Sequence, residues 1–267
     1  MHRRGLGFLL LGSALVVLPL AHAQSPSELV QVVPPQVRTP PPSPTASAEE
    51  LEKRGDDLRG EKAYLDALDY YAAALAKGPT ARLYNKCGIA DLQLRREKES
   101  EQNFQRALRI DPSFSDAWNN LGVVYYEQRK FGKAIKQYDH AIKLNPDVAS
   151  FHSNIGAAYF SKKEWDRATA SYAQALQLDP DLFERSSRIG VTAQLPSPQD
   201  RSHFNYLVAK LYAKQGDREH ALEYLRRAME EGYKGINDVY KDPEFESLRS
   251  DSRFGQLMAS KPAVVPE

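Results

Sequence analysis

The chain has 267 residues, 42% of them hydrophobic and 27% charged, as in an ordinary globular protein of one or two domains. With 36 Lys plus Arg against 35 Asp plus Glu, bulk electrostatics favours neither phosphate backbones nor anionic lipid, which argues against a nucleic-acid partner. A single cysteine, Cys87, excludes intramolecular disulfides, so stability must come from packing, and Cys87 itself reads as a small buried hydrophobe.

Basic His2, Arg3 and Arg4 precede an apolar run from Leu6 to Leu20, which Ala21, His22 and Ala23 close. A charged start, an apolar core and an A-x-A site make residues 1–23 a signal peptide cleaved after Ala23. The alternative is an uncleaved anchor, but the run of about 15 residues falls short of the roughly 20 that span a bilayer. No cysteine lies near the site, which argues against a lipid-anchored form. Losing Arg3 and Arg4 leaves 34 basic against 35 acidic groups. The expected location is periplasmic or secreted, with no membrane span after cleavage.

Residues 24–47 change character. Pro26, Pro34, Pro35, Pro40, Pro41, Pro42 and Pro44 lie among Ser, Thr, Val and Gln. Proline fixes φ and lacks an amide donor, so the segment favours extended polyproline-II structure. It reads as a linker. A docking motif for a proline-recognising domain is the other reading.

From Ala48 the pattern becomes helical and repeats itself. In 115–148, Trp118, Leu121, Gly122 and Tyr125 form one stripe. A break at Gln128, Arg129 and Lys130 leads to a second stripe of Ala134, Tyr138 and Ala141, stopped by Asn145 and Pro146. In 149–182 the corresponding residues are Ile155, Gly156, Tyr159, Ala168, Tyr172, Ala175 and Pro180. In 81–114 they are Cys87, Gly88, Phe104, Ala107 and Pro112, and in 48–80 they are Gly55, Leu58, Ala67, Tyr71, Ala74 and Pro79. The anchors Tyr71, Phe104, Tyr138 and Tyr172 are separated by 33, 34 and 34 residues. Small residues let paired helices approach, and rings fill the space beside them. Each pair leaves an apolar face that only its neighbours can bury.

Between 183 and 201 the register slips. Gly190, Pro196, Ser197 and Pro198 mark an insert loop, with a short extended piece at 189–195. A fifth unit at 202–235 carries Val208, Ala209, Tyr212, Ala221, Leu225 and Ala228, with Tyr233 in place of the closing proline. In the tail, 236–267, Phe245, Leu248, Phe254, Leu257 and Met258 suit short helices begun at Asp242 and Asp251, which cap the last exposed face.

The W-x-x-L-G-x-x-Y, A-x-x-x-F, P pattern matches Trp118 to Pro146, with Tyr138 replacing phenylalanine. The chain resembles the tetratricopeptide-repeat family over roughly residues 48 to 235. His152 and Tyr84 replace the tryptophan, while Asp91 and Ser100 depart further and put local packing there in question. The resemblance implies an all-α, right-handed α-solenoid of antiparallel helix pairs. It also implies a concave groove, lined by the first helix of each pair, that holds a peptide or extended segment. The matching positions are Asn85 and Ile89; Asn119, Asn120, Val123 and Tyr126; and Ser153, Asn154, Ala157 and Phe160. The asparagines either offer donors and acceptors to a partner's main chain or bond neighbouring helix ends, whereas Tyr126 and Phe160 offer apolar area. Some family members grip C-terminal carboxylates with groove cations. Here Glu52, Asp56, Ser150 and Asn154 stand at such positions, so no clamp is expected.

Catalytic and cofactor signals are absent from the sequence. His140, His152, His203 and His220 are scattered, and no H-E-x-x-H or Cys/His cluster occurs. Asp217, His220 and Glu223 share a helix face that reads as solvated surface rather than a metal site. Gly132 and Lys133 do not make a phosphate loop, since Glu127 and Ala134 stand where glycine and Ser/Thr are needed. The expectation is a non-catalytic interaction scaffold with a protein or peptide partner, no cofactor and no metal. The alternatives are a self-associating spacer, which leaves a homo-oligomer open, or an enzyme using residues 183–223.

Overall fold

Each helix stripe, closed by its own stop signal, folds back on the one before it. The computed structural model describes residues 38–184 and 197–260. The signal peptide, the linker as far as residue 37, insert residues 185–196 and tail residues 261–267 lie outside the described residues. The described helices belong to one compact unit that begins at Thr39.

Five pairs follow in order: α1 (Ala48–Gly60) with α2 (Tyr64–Lys77), α3 (Ala81–Gln93) with α4 (Glu97–Ile110), and α5 (Ser115–Glu127) with α6 (Phe131–Leu144). Then come α7 (Ala149–Ser161) with α8 (Trp165–Leu178) and α9 (Pro198–Gln215) with α10 (Arg218–Glu230). Two 3-10 turns, Ile236–Tyr240 and Pro243–Phe245, lead to α11 (Ser252–Ser260), and the described residues contain no strand. Each pair packs on the next, and α5 also touches α3 and α7, so the array is an α-solenoid.

The turns within the pairs share one geometry. Lys62, Arg95, Arg129 and Lys163 hold left-handed φ values of 62, 59, 58 and 63°, and Gly216 holds 82°. The following amide reaches back to the carbonyl five residues earlier, as in Lys130 N to Tyr125 O at 2.8 Å and Asp217 N to Tyr212 O at 3.0 Å. This Schellman closure satisfies the last carbonyls of the first helix and reverses the chain within one short turn.

The helix starts vary. Ser47 and Glu50 form a capping box on α1, Thr80 caps α3 through Leu83 N at 3.1 Å, and Ser197 caps α9 through Asp200 N at 3.1 Å. With Ser197 as cap and Pro198 in its first turn, α9 begins inside the expected insert, so residues 198–201 are helix rather than loop.

The expected interlock of small residue and ring is present in four pairs. A Cβ placed on Gly55, Gly88, Gly122 or Gly156 would lie 2.5, 2.6, 2.5 or 2.7 Å from the ring of Tyr71, Phe104, Tyr138 or Tyr172. All four rings are fully buried. The departures in the second repeat also find partners. Ser100 donates to Gly88 O at 2.8 Å, and Asp91 accepts from Asn103 Nδ2 at 2.8 Å while burial raises its pKa. His152 does the work of tryptophan, since its Nε2 meets Pro146 O at 2.7 Å where Trp118 Nε1 donates to Pro112 O at 2.8 Å.

Both ends of the array are covered. At the C-terminal end Val239, Phe245, Leu248, Phe254 and Leu257 are buried, as the apolar pattern of the tail implies. At the N-terminal end the last stretch of the proline-rich segment is not a free spacer. Thr39 N donates to Asp66 at 3.0 Å, Tyr70 donates to Pro40 O at 3.1 Å, and Lys77 donates to Pro44 O at 3.0 Å. Asp66, Tyr70 and Lys77 share one stripe of α2, so residues 39–44 lie as a strap along that helix. Proline carbonyls, unused within polyproline-II, are free to accept such bonds.

Candidate partner-binding face

The first helices of the pairs bring the expected groove positions onto adjacent elements. Asn85 and Ile89 lie on α3; Asn119, Asn120, Val123 and Tyr126 on α5; Ser153, Asn154, Ala157 and Phe160 on α7. The asparagines bond one another in series across three helices. Asn154 Nδ2 donates to Asn119 Oδ1 at 2.9 Å, Asn119 Nδ2 to Asn120 Oδ1 at 3.3 Å, and Asn120 Nδ2 to Asn85 Oδ1 at 3.1 Å. All four are buried. A buried amide is costly unless paired, so this seam fixes the register between neighbouring repeats.

The apolar positions are placed differently from the expectation of ring contacts. Phe160 and Val123 are both 0% exposed, and Tyr126 is 4% exposed. Phe160 packs edge-on to Trp165 at 4.8 Å and against His203 at 5.3 Å, so it belongs to the junction of α7, α8 and α9. Tyr126 lies 5.3 Å from the Phe131 ring and shares a 3.0 Å hydrogen bond with Ser161, and burial raises its pKa. Neither ring is offered to a partner. Ser153 and Ala157 are likewise buried, while Ile89 is half-buried.

The acidic end of this face carries an unexpected cation. Lys86 Nζ bridges Glu52 at 2.6 Å and Asp56 at 2.5 Å, and Arg82 Nε adds 2.8 Å to Glu52. Glu52 and Asp56 of α1 are therefore neutralised from α3. Lys86 lies one residue past Asn85, and only the repeat offset between α1 and α3 could have signalled its role. Trp165, Ser161 and His203 also went unrecognised in the sequence. The insert breaks the register that would have set His203 beside the fourth repeat.

Groups with potential chemistry are engaged elsewhere. Burial pushes the Cys87 thiol up to about 12, which keeps it protonated. Asp217 caps α10 through His220 N at 3.1 Å and holds His220 Nδ1 at 2.6 Å, while Glu223 turns to Arg227 at 3.1 Å. Among the described residues no three His, Cys, Asp or Glu side chains converge as a metal site, and no helix is long and apolar enough to cross a membrane.

Family models for the tetratricopeptide repeat match residues 115–148, 149–182 and 202–231, and a TPR repeat model matches 98–129. No curated protein matches the chain. Among solved structures, a MamA crystal structure is 23% identical over 54% of this chain and 79% of that one, with a TM-score of 0.46. YrrB, described as a TPR protein with an unusual peptide-binding site, is 20% identical over 73% and 91%, with a TM-score of 0.47. MamA 41-end from Desulfovibrio magneticus RS-1 is 16% identical over 68% and 93%, with a TM-score of 0.49. The matched repeats, their regular spacing and the helix pairs that clasp a glycine against a ring show that this chain carries tetratricopeptide repeats.

Proposed function

We propose that the protein is a non-catalytic scaffold outside the cytoplasm that binds an extended segment of a partner protein along the face formed by α3, α5 and α7. The observation that carries this reading is the asparagine seam, which holds the first helices of three repeats in register as one face. An extended chain presents N–H and C=O groups at regular intervals, which suits a face whose repeats are held at regular spacing. Export rests on the charged start, apolar core and A-x-A site of residues 1–23.

The test places a photoreactive amino acid at Ile89 in living cells and follows the crosslinked product. Asn120→Ala with Asn154→Ala should remove a discrete adduct while far-UV circular dichroism stays native. An adduct that survives the double substitution would sink the seam's part in shaping the binding face. Export is checked by fractionation with N-terminal sequencing, where a mature chain starting at Gln24 is expected and an uncleaved cytosolic chain would refute it.

A further inference from the structure

The turns within the helix pairs hold a second feature. At their left-handed position the first four repeats carry Lys62, Arg95, Arg129 and Lys163, where the fifth has Gly216. A side chain with a Cβ is strained at positive φ, and glycine relieves it. All four side chains are exposed, so packing does not compensate for the strain.

Around the third and fourth turns the cations converge. Arg129, Lys130, Lys133, Lys136 and Lys162 line one shallow recess, with the half-buried ring of Phe131 among them. Among the described residues none of Arg129, Lys130, Lys133 and Lys136 pairs with a carboxylate. Lys130 donates to Gln128 at 2.8 Å, and Lys133 lies 5.4 Å over the Tyr125 ring. The nearby acids are occupied, Glu127 by Arg95 at 2.9 Å and Glu164 by Lys162 and by Arg167 at 3.0 Å. The balanced total charge of the chain hides this local excess.

We propose that this recess, with the turn cations on either side of it, is a docking site for an extended acidic segment of a partner protein. The chemistry favours carboxylates on a narrow chain. The cations recur once per repeat along the turn edge, which suits charges spaced along a strand, and the Phe131 ring offers apolar contact to the methylenes of glutamate. The site lies on the turns rather than on the asparagine seam, so it stands or falls independently of the reading above.

The probe is a fluorescein-labelled peptide of about twelve residues alternating Glu and Ala, which at roughly 3.3 Å per residue spans two adjacent turns. Anisotropy with the full chain should show saturable binding that weakens with salt. Lys130→Gln, Lys133→Gln and Lys136→Gln together should weaken it about tenfold. Lys53→Gln, Lys214→Gln and Lys234→Gln, an equal change in charge elsewhere, should leave it unaltered. Arg129→Gly with Lys163→Gly should weaken binding while the melting temperature holds or rises, which separates recognition from folding. The proposal is overturned if both lysine triples act alike, or if inorganic phosphate or phosphatidylglycerol vesicles displace the peptide at equal charge concentration.

Discussion

The four stacked rings differ only at their tips, and that difference decides their energetics. Tyr71 donates to Asp56 at 2.8 Å and accepts from Arg59 at 3.2 Å, whereas the buried hydroxyls of Tyr138 and Tyr172 have no partner among the described residues. Phe104 does the same packing without an oxygen. A buried hydroxyl without a partner costs about 1–3 kcal/mol, and a satisfied one contributes about 1 kcal/mol. Tyr138→Phe should therefore stabilise by about 1 kcal/mol, and Tyr71→Phe should destabilise by a similar amount. Urea melts of the two variants check this. Shifts of the same sign would mean that Tyr138 has a partner, such as a trapped water.

At the scale of the helix pair, one glycine sets how closely two helices approach. Gly122→Ala would drive a Cβ to 2.5 Å from the Tyr138 ring, and overpacking of this kind costs about 1–3 kcal/mol. Gly132, exposed in the first turn of α6, has nothing within 4 Å of such a Cβ, so Gly132→Ala should be neutral or slightly stabilising. Thermal denaturation of both variants distinguishes a spacing glycine from an incidental one. These pairs were legible in the sequence because Gly and ring recur at one fixed offset. The strap was not, because nothing in a proline-rich composition names Asp66, Tyr70 and Lys77 as partners roughly thirty positions away. Nor was the asparagine seam, since an amide at a helix face fits a neighbour or a ligand equally well. Tyr126 and Phe160 were misjudged because an aromatic beside the packing stripe reads as surface until Phe131, Trp165 and His203 are seen covering it.

Across the whole array, stability is a sum of pairs and the joints between them. The joint after the fourth repeat is built differently, from rings rather than alternating small and large residues. His203 sits 4.5 Å from Trp165 and stacks on Tyr233 at 5.4 Å, Phe204 meets Tyr172 at 5.1 Å, and Tyr212 donates to Pro180 O at 2.8 Å. Burial lowers the His203 pKa, with the Asp200 carboxylate opposing in part. The unfolded chain therefore binds this proton first. The stability that His203 contributes is complete above its unfolded value of about 6.5 and is lost as pH falls through that value toward the lower folded one. Buried Asp91 and half-buried Asp139 and Glu231, whose pKa values are raised, act in the opposite sense, so the wild-type profile mixes both. The His203→Gln variant should show a smaller drop in melting temperature than wild type between pH 7.5 and pH 5. Parallel profiles would remove His203 as the source.

The strap on α2 also decides how the array responds to force. Thr39 rests against Asp66, at the same end of α2 as the Lys62 turn and opposite the end where α1 begins. A pull applied at Thr39 therefore meets the strap before it meets α1. It must peel three proline-segment hydrogen bonds one at a time before any helix is loaded along its axis. Such an attachment yields in small steps, like a zip opened from its end, and shields the first repeat from abrupt mechanical rupture.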